Sequence, residues 1–353
     1  MSNKLQLRVF ICSLLFFVVS MSAMLVYAQN KAVVIDNVEG QLGIEEEGTA
    51  SDKIIIKSLN IHKDSDAGTF VIPLPQGVAA EQVSIENKYI LQELWVSIEG
   101  CDYTFFEQQW ISGDTSSILS GTYEVRENRV VLRLLMGDIF ECKNLLENGR
   151  LVVEPVDPHS LYENIVVIDP LGGTQKWGAG NSSISENDVA LDVAKRLQTK
   201  MTDTGIKVYF TRLENVERSK QLRQHLVDTL KPDFMISIGT STEVEEAFGE
   251  NYGVEALYNT YFTPKISSVL LADTLVREVA ISASGRGNGI WEGSDQDALF
   301  YEVCVPAVQL SVGYLSNEKE RELLAIEEYR DKVAEGIASA ILGMFKGEET
   351  DAQ

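Results

Sequence analysis

Positive charge is what this sequence most lacks. Its 353 residues set 30 Lys and Arg against 53 Asp and Glu, a net charge of -23. That balance excludes an unsteered affinity for nucleic acid or anionic membrane, because both rest on attraction to phosphate. A partner is neutral, basic, or met through a local patch. Cysteine is scarce as well, with Cys12, Cys101, Cys142 and Cys304 the whole supply. Cys12 falls in an apolar leader and Cys304 in a stretch read as core, which leaves Cys101 and Cys142 as the pair open to a disulfide, with two buried thiols as the alternative. Histidine is scarcer still: His62, His159 and His225 are all there is for any imidazole chemistry.

What is present begins with a leader. Lys4 and Arg8 precede an uncharged segment, residues 9–28, long enough to cross a bilayer as a helix. Val26, Tyr27 and Ala28 also suit a signal-peptide cleavage site, so residues 1–30 read as a signal anchor or a signal peptide. In either case the positive end stays inside and the bulk of the chain is extracytoplasmic, membrane-anchored or secreted. With 44% apolar residues, the remainder is long enough for two domains.

Residues 31–157 show short β-rich runs at 33–35, 53–56, 69–72, 94–98, 121–125, 129–135 and 150–153, with Glu127 and Asn128 suiting a hairpin. An all-β, sandwich-like domain follows from that pattern. Trp95, Phe105, Phe106 and Trp110 lie within it. They are read mainly as sheet core, with the region of Trp110 the better candidate for a surface role. Residues 158–163 read as a linker.

Residues 165–173, IVVIDPLGG, are the point around which the rest is arranged. A β-branched apolar run that stops at an acid, a proline and two glycines reads as a buried parallel strand delivering a loop at its carboxyl end. Ser185, Glu186 and Asp188 then open an amphipathic helix, in which Val189, Val193, Leu197 and Met201 share one face. Further strands at 207–211, 234–238, 253–259 and 307–312 alternate with helices at 217–230, 264–282 and 318–345, the last broken near residue 327. The expected fold of residues 164–346 is therefore α/β, a mainly parallel sheet with helices on both faces, followed by an acidic tail at 347–353. The DPLGG loop lacks the lysine and hydroxyl of a phosphate-binding P-loop.

Five landmarks occur here in order: VVIDPxGG, the glutamate Glu186 opening the first helix, VYFTR at 208–212, FMISI at 234–238, and PAVQLSVGYLSN at 306–317. Over residues 164–345 the chain resembles the zinc-dependent N-acetylmuramoyl-L-alanine amidases, which cut the bond between wall glycan and stem peptide. The resemblance implies an amidase-like α/β fold, zinc as the family's cofactor and peptidoglycan as its substrate. It also shows what is missing. Leu171 and Gly239 stand at the family's two histidine positions and Ser311 at its catalytic glutamate, so that Glu186 alone is retained.

A hydrolytic zinc centre needs about three protein ligands, an open position for water and a base beside it. Leucine and glycine supply no donor and serine no base, while His62, His159 and His225 fall elsewhere in the chain, so no cofactor is expected. The frame persists in Asp169, Pro170, Gly172, Gly173, Ser237 and the turn at 313–317. Glu186 has a structural role open to it as well, since a carboxylate in the first turn of a helix is favoured by the dipole whatever the protein does. Arg223 and Asp233 match family positions that look structural. The expectation is an extracytoplasmic, catalytically inactive amidase-like protein that binds peptidoglycan or muropeptide, or a wall-remodelling or division protein. One alternative is an active amidase with an atypical metal site, using Glu186 with Asp169 or Asp188; another is a structural spacer of the envelope.

Overall fold

The computed structural model describes residues 55–102, 104–126, 128–178, 183–242, 251–294 and 298–346. The segment 9–28, the runs at 33–35 and 53–54, and the acidic tail 347–353 lie outside the described residues. No helix among those described is long and apolar enough to cross a membrane.

The first lobe is all-β apart from short helical turns. Its strands are β1 (Ile55–Ser58), β2 (Phe70–Pro73), β3 (Val83–Lys88) and β4 (Glu93–Glu99), then β5 (Ser112–Gly113), β6 (Ile118–Arg126), β7 (Arg129–Met136), β8 (Glu141–Glu147) and β9 (Arg150–Val156). Helix α1 (Phe105–Gln108) separates β4 from β5. A five-stranded sheet, β1-β6-β7-β4-β3, and a four-stranded one, β5-β2-β9-β8, pair antiparallel throughout. The expected hairpin closes with Arg126 opposite Arg129. Strand β4 shows why the arrangement holds: Leu94, Val96 and Ile98 alternate inward and are at most 1% exposed. Phe106 is buried in the same core. Trp95 points away from it with the Arg133 guanidinium 4.2 Å above its ring, and Trp110 is half exposed against His62.

Of the two readings open for Cys101 and Cys142 the structure has the thiols, and the expectation for Cys304 changes. Cys101 and Cys142 are thiols within the core of this lobe, and burial pushes both up to about 11. Cys304 is exposed, not buried, because it lies in the turn between a short helix and the last strand and not on the strand itself.

The second lobe starts after α2 (Pro158–Leu161), whose Pro158 is buried and whose His159 ring meets the Leu230 carbonyl at 2.8 Å. It continues with β10 (Ile165–Pro170), α3 (Glu186–Lys200), β11 (Lys207–Phe210), α4 (Lys220–Leu230), β12 (Phe234–Ser241) and β13 (Val254–Tyr258). Then come α5 (Ser268–Ser282), β14 (Gly287–Glu292), α6 (Leu299–Glu302), β15 (Ala307–Tyr314), α7 (Glu318–Leu324) and α8 (Glu327–Lys346). The sheet runs β11-β10-β12-β15-β13-β14. Every neighbouring pair is parallel except β13 with β15, so the sheet is mixed.

All six residues of β10 are buried, as a central strand covered on both faces requires. Helix α3 begins in a capping box, Ser185 and Asp188 bonding each other's backbone amides, and buries Val189, Val193 and Leu197 completely. It shares its face of the sheet with α5 and α8. Those last two approach so closely that a Cβ on Gly336 would lie 2.5 Å from the Val279 Cα, a contact that only glycine permits. The other face carries α4 and α6, and Ile139, Tyr89 and Ile90 of the β lobe pack into that same cluster. The Tyr89 hydroxyl donates to the Phe210 carbonyl at 2.9 Å and accepts from its amide at 3.0 Å, while Tyr209 donates to Glu141. The β lobe thereby covers backbone groups on edge strand β11.

Between α3 and α8, Asp192 accepts from both Arg196 and Arg330. Burial alone would raise its pKa, but the two guanidinium bonds outweigh that and hold it below the usual aspartate value. A depressed folded-state pKa means stability that is present above about pH 4 and lost as pH falls through the lower folded value. Urea unfolding between pH 2 and pH 7 is expected to show Asp192→Asn losing about 1–3 kcal/mol at neutral pH, with the gap to wild type narrowing in acid. A gap independent of pH would refute the charge assignment.

Candidate functional site

The carboxyl ends of β10 and β12, the start of α3 and the facing stretch of β15 converge on one rim, where open α/β sheets carry their sites. The loop after β10 is stitched down there. Leu171 donates its amide to the Ile238 carbonyl at 2.8 Å, and Asn187 donates its own to the Gly173 carbonyl at 2.9 Å. Arg212, 7% exposed, donates to the carbonyls of Pro170 at 3.0 Å and Leu171 at 2.8 Å and to the Asn187 side chain at 2.8 Å. Burial draws its pKa down, with Asp169 and Glu186 acting against that shift and Arg223 adding to it.

Asp169 belongs to this scaffold. It is fully buried, its Oδ1 accepts from Thr211 at 2.6 Å, and its Oδ2 accepts from Arg223 at 2.6 Å and Ser237 at 3.1 Å. Arg223 is thus paired with Asp169, while Asp233 accepts from the Ile165 amide at 2.8 Å. Buried and engaged by these three donors, Asp169 anchors the loop.

Glu186 sits at the centre of the rim. Its Oε2 accepts from the Gly173 amide at 3.1 Å and its Oε1 from the Thr240 amide at 3.0 Å. The two glycines make room for it, since a Cβ on Gly173 would lie 2.5 Å from Oε2 and one on Gly239 2.6 Å from Oε1. Leu171 stands on the other side of Gly239, its Cδ1 2.7 Å from where a Gly239 Cβ would lie. Gly239 pairs with Ser311 across β12 and β15, and Ser311 pairs in turn with Glu255 of β13. Asp188, the other carboxylate at the start of α3, is held by Lys176 and by the cap Ser185.

The structure therefore brings together Leu171, Gly172, Gly173, Glu186, Gly239 and Ser311, with Asp169 and Ser237 beneath them. The three histidines lie elsewhere: His62 on Trp110, His159 on Leu230, and His225 3.1 Å from Gln92. Among the described residues, no three His, Cys, Asp or Glu side chains form a group able to hold a metal ion. Among the described residues, the four positions Leu171, Glu186, Gly239 and Ser311 offer one carboxylate, already engaged by two amides, beside a hydrocarbon, no side chain and a hydroxyl. This donor set does not fit a catalytic zinc ion. Arg212 and Glu255 were missed as site residues, since an arginine ending a strand and a glutamate between apolar residues carry no local mark of what they touch.

Residues 166–343 match the sequence profile of the family described as N-acetylmuramoyl-L-alanine amidase, Amidase_3. The chain belongs to this amidase family. Among its relatives, the N-acetylmuramoyl-L-alanine amidase CwlM of Mycobacterium tuberculosis is 28% identical over 186 residues, 51% of this chain and 45% of that protein. The amidase LytC of Bacillus subtilis is 26% identical over 184 residues, 51% of this chain and 35% of that protein. The chain thus spans less than half the length of either. A solved amidase from Clostridium difficile 630 is 26% identical, covering 52% of this chain and 98% of that one at a TM-score of 0.46. The amidase match lies in the second lobe and spans Leu171, Glu186, Gly239 and Ser311.

Proposed function

We propose that the protein works at the cell wall, outside the cytoplasm, by holding a peptidoglycan fragment at the amidase rim without hydrolysing it. The observation that carries this reading is the state of Glu186: two backbone amides engage its carboxylate, and the Leu171 side chain stands across Gly239 from it, where a metal site would need a donor. An intact frame around an unfit donor set supports binding over turnover. Residues 9–28 would tether or export the chain. A protein of the wall-remodelling machinery is the other partner class that such a rim would serve. Membership of the amidase family favours a second reading, an active amidase with an atypical metal site that includes Glu186.

Three measurements on the full chain separate these readings: retention on insoluble peptidoglycan, release of stem peptide from it, and calorimetric zinc titration beside Glu186→Ala. The binding reading expects retention, no released peptide and no stoichiometric zinc at micromolar concentration. Released peptide together with one-to-one zinc that Glu186→Ala abolishes would establish the active amidase. Absence of retention would move the reading to a protein partner.

A further inference from the structure

The sheet face that carries Gly239 and Ser311 continues past them toward the edge strand. Two cross-strand rows lie on it: Gly239, Ser311, Glu255 and Gly289 form one, and Ser237, Gln309, Leu257 and Trp291 the other. Helix α5 packs on the opposite face of β13, against Val254 and Ala256. Helices α4 and α6 cover the near face only as far as the cluster that includes Ala307 and Leu257. Beyond that cluster Trp291 is 46% exposed, and Gln309 and Glu255 are half-buried. The indole leans back along its own strand, since a Cβ on Gly289 would lie 3.1 Å from Trp291 Cη2 and Cζ2, so the ring adjoins the row of Ser311 and Glu255.

The polar groups of this floor are prepared in an uneven way. Glu255 is fixed by three side chains, accepting from Ser241, Tyr314 and Asn288, which leaves one acceptor position of its carboxylate open. Ser311 is 7% exposed, yet its hydroxyl is joined to no other described residue. The oxygen is not one of the buried polar atoms left without a partner, so it opens to solvent and is free to meet water or ligand.

We propose that this floor is a saccharide-binding surface, in which one pyranose ring stacks on the Trp291 indole while its hydroxyl or acetamido groups meet Ser311, Gln309 and the open position of Glu255. A flat aromatic beside an amide, a hydroxyl and a carboxylate matches a ring with an apolar face and a polar circumference. The ligand is neutral, because Glu255 and the net charge of -23 oppose an anion. The inference rests on the binding reading and assigns the glycan side of the wall fragment, not its peptide, to this part of the rim.

The test titrates the full chain with the neutral N-acetylglucosamine tetramer and, separately, with sugar-free stem peptide, by calorimetry and tryptophan fluorescence. Saccharide binding is expected to weaken roughly tenfold or more in Trp291→Ala and severalfold in Ser311→Val. Trp110→Ala, also half exposed but in the β lobe, is expected to leave it unchanged. Because Trp291 is exposed, an unchanged melting temperature confirms that the variant folds. Retention on peptidoglycan with no saccharide binding, saccharide binding indifferent to Trp291→Ala, or peptide binding that depends on Trp291 would each overturn the assignment and leave the binding reading standing. Loss of retention on peptidoglycan with Trp291-dependent saccharide binding intact would do the reverse.

Discussion

Asp169→Ala is expected to cost about 3–5 kcal/mol in urea unfolding of the full chain, enough to remove much of the stability of an ordinary domain. The cost comes from what is left behind. Arg223 has only 19% of its side chain exposed and loses its carboxylate, and the hydroxyls of Thr211 and Ser237 lose their acceptor in the same step. Asp169→Asn is expected to fall between wild type and Asp169→Ala, because its carbonyl oxygen can keep Arg223 and Ser237 while its NH2 donates to the Thr211 hydroxyl, but the negative charge opposite the guanidinium is gone. Asp169→Ala combined with Arg223→Met removes both charges and is expected to recover more than half of the loss. A single-variant cost under about 1 kcal/mol would mean that solvent reaches the pair and that Asp169 is not the anchor of the loop. The same experiment bears on function, since a residue this deeply engaged in the scaffold is poorly placed to join an atypical metal site.

Much of this architecture is legible where pattern and environment agree. Strand β10 announces itself because a central parallel strand is apolar on both faces, and α3 because its cap and its four-residue spacing point to the same start. Strands β3 and β8 escape the pattern because they run along sheet edges with glutamate, lysine and asparagine facing out. Strand β14 escapes it because Gly287 and Gly289 read as turn residues, although the second of them makes room for an indole. Cys304 passes for core because residues beside it are apolar, whereas it stands in a turn. At the rim, the resemblance to the amidases points to Leu171, Gly239 and Ser311 as the positions to inspect. What surrounds Glu186 there is not legible, because the amides of Gly173 and Thr240 and the clamp of Arg212 are contacts between segments 13 to 54 residues apart.

The surroundings of Glu186 yield the second large expected effect. Gly239→Ala places a methyl 2.6 Å from Glu186 Oε1 and 2.7 Å from Leu171 Cδ1, closer than either contact allows, and is expected to destabilise by about 1–3 kcal/mol. Leu171→Ala removes one of the two obstructions, so the double variant is expected to lose less than the sum of the singles, with a coupling of about 1 kcal/mol. Additive losses would show that Leu171 yields freely and that the rim is not packed shut. The same geometry governs any attempt to restore a metal centre. Gly239→His alone sends an imidazole into the space of Leu171 and should bind no zinc, whereas Leu171→His with Gly239→His clears that space and supplies two nitrogen donors beside Glu186. Zinc binding by the double variant alone would show that the frame has outlasted its ligands and that the two substitutions act as one change. Zinc binding by the single variant would show that Leu171 and Glu186 move aside easily, and the case for a rim rebuilt around its glutamate would fall.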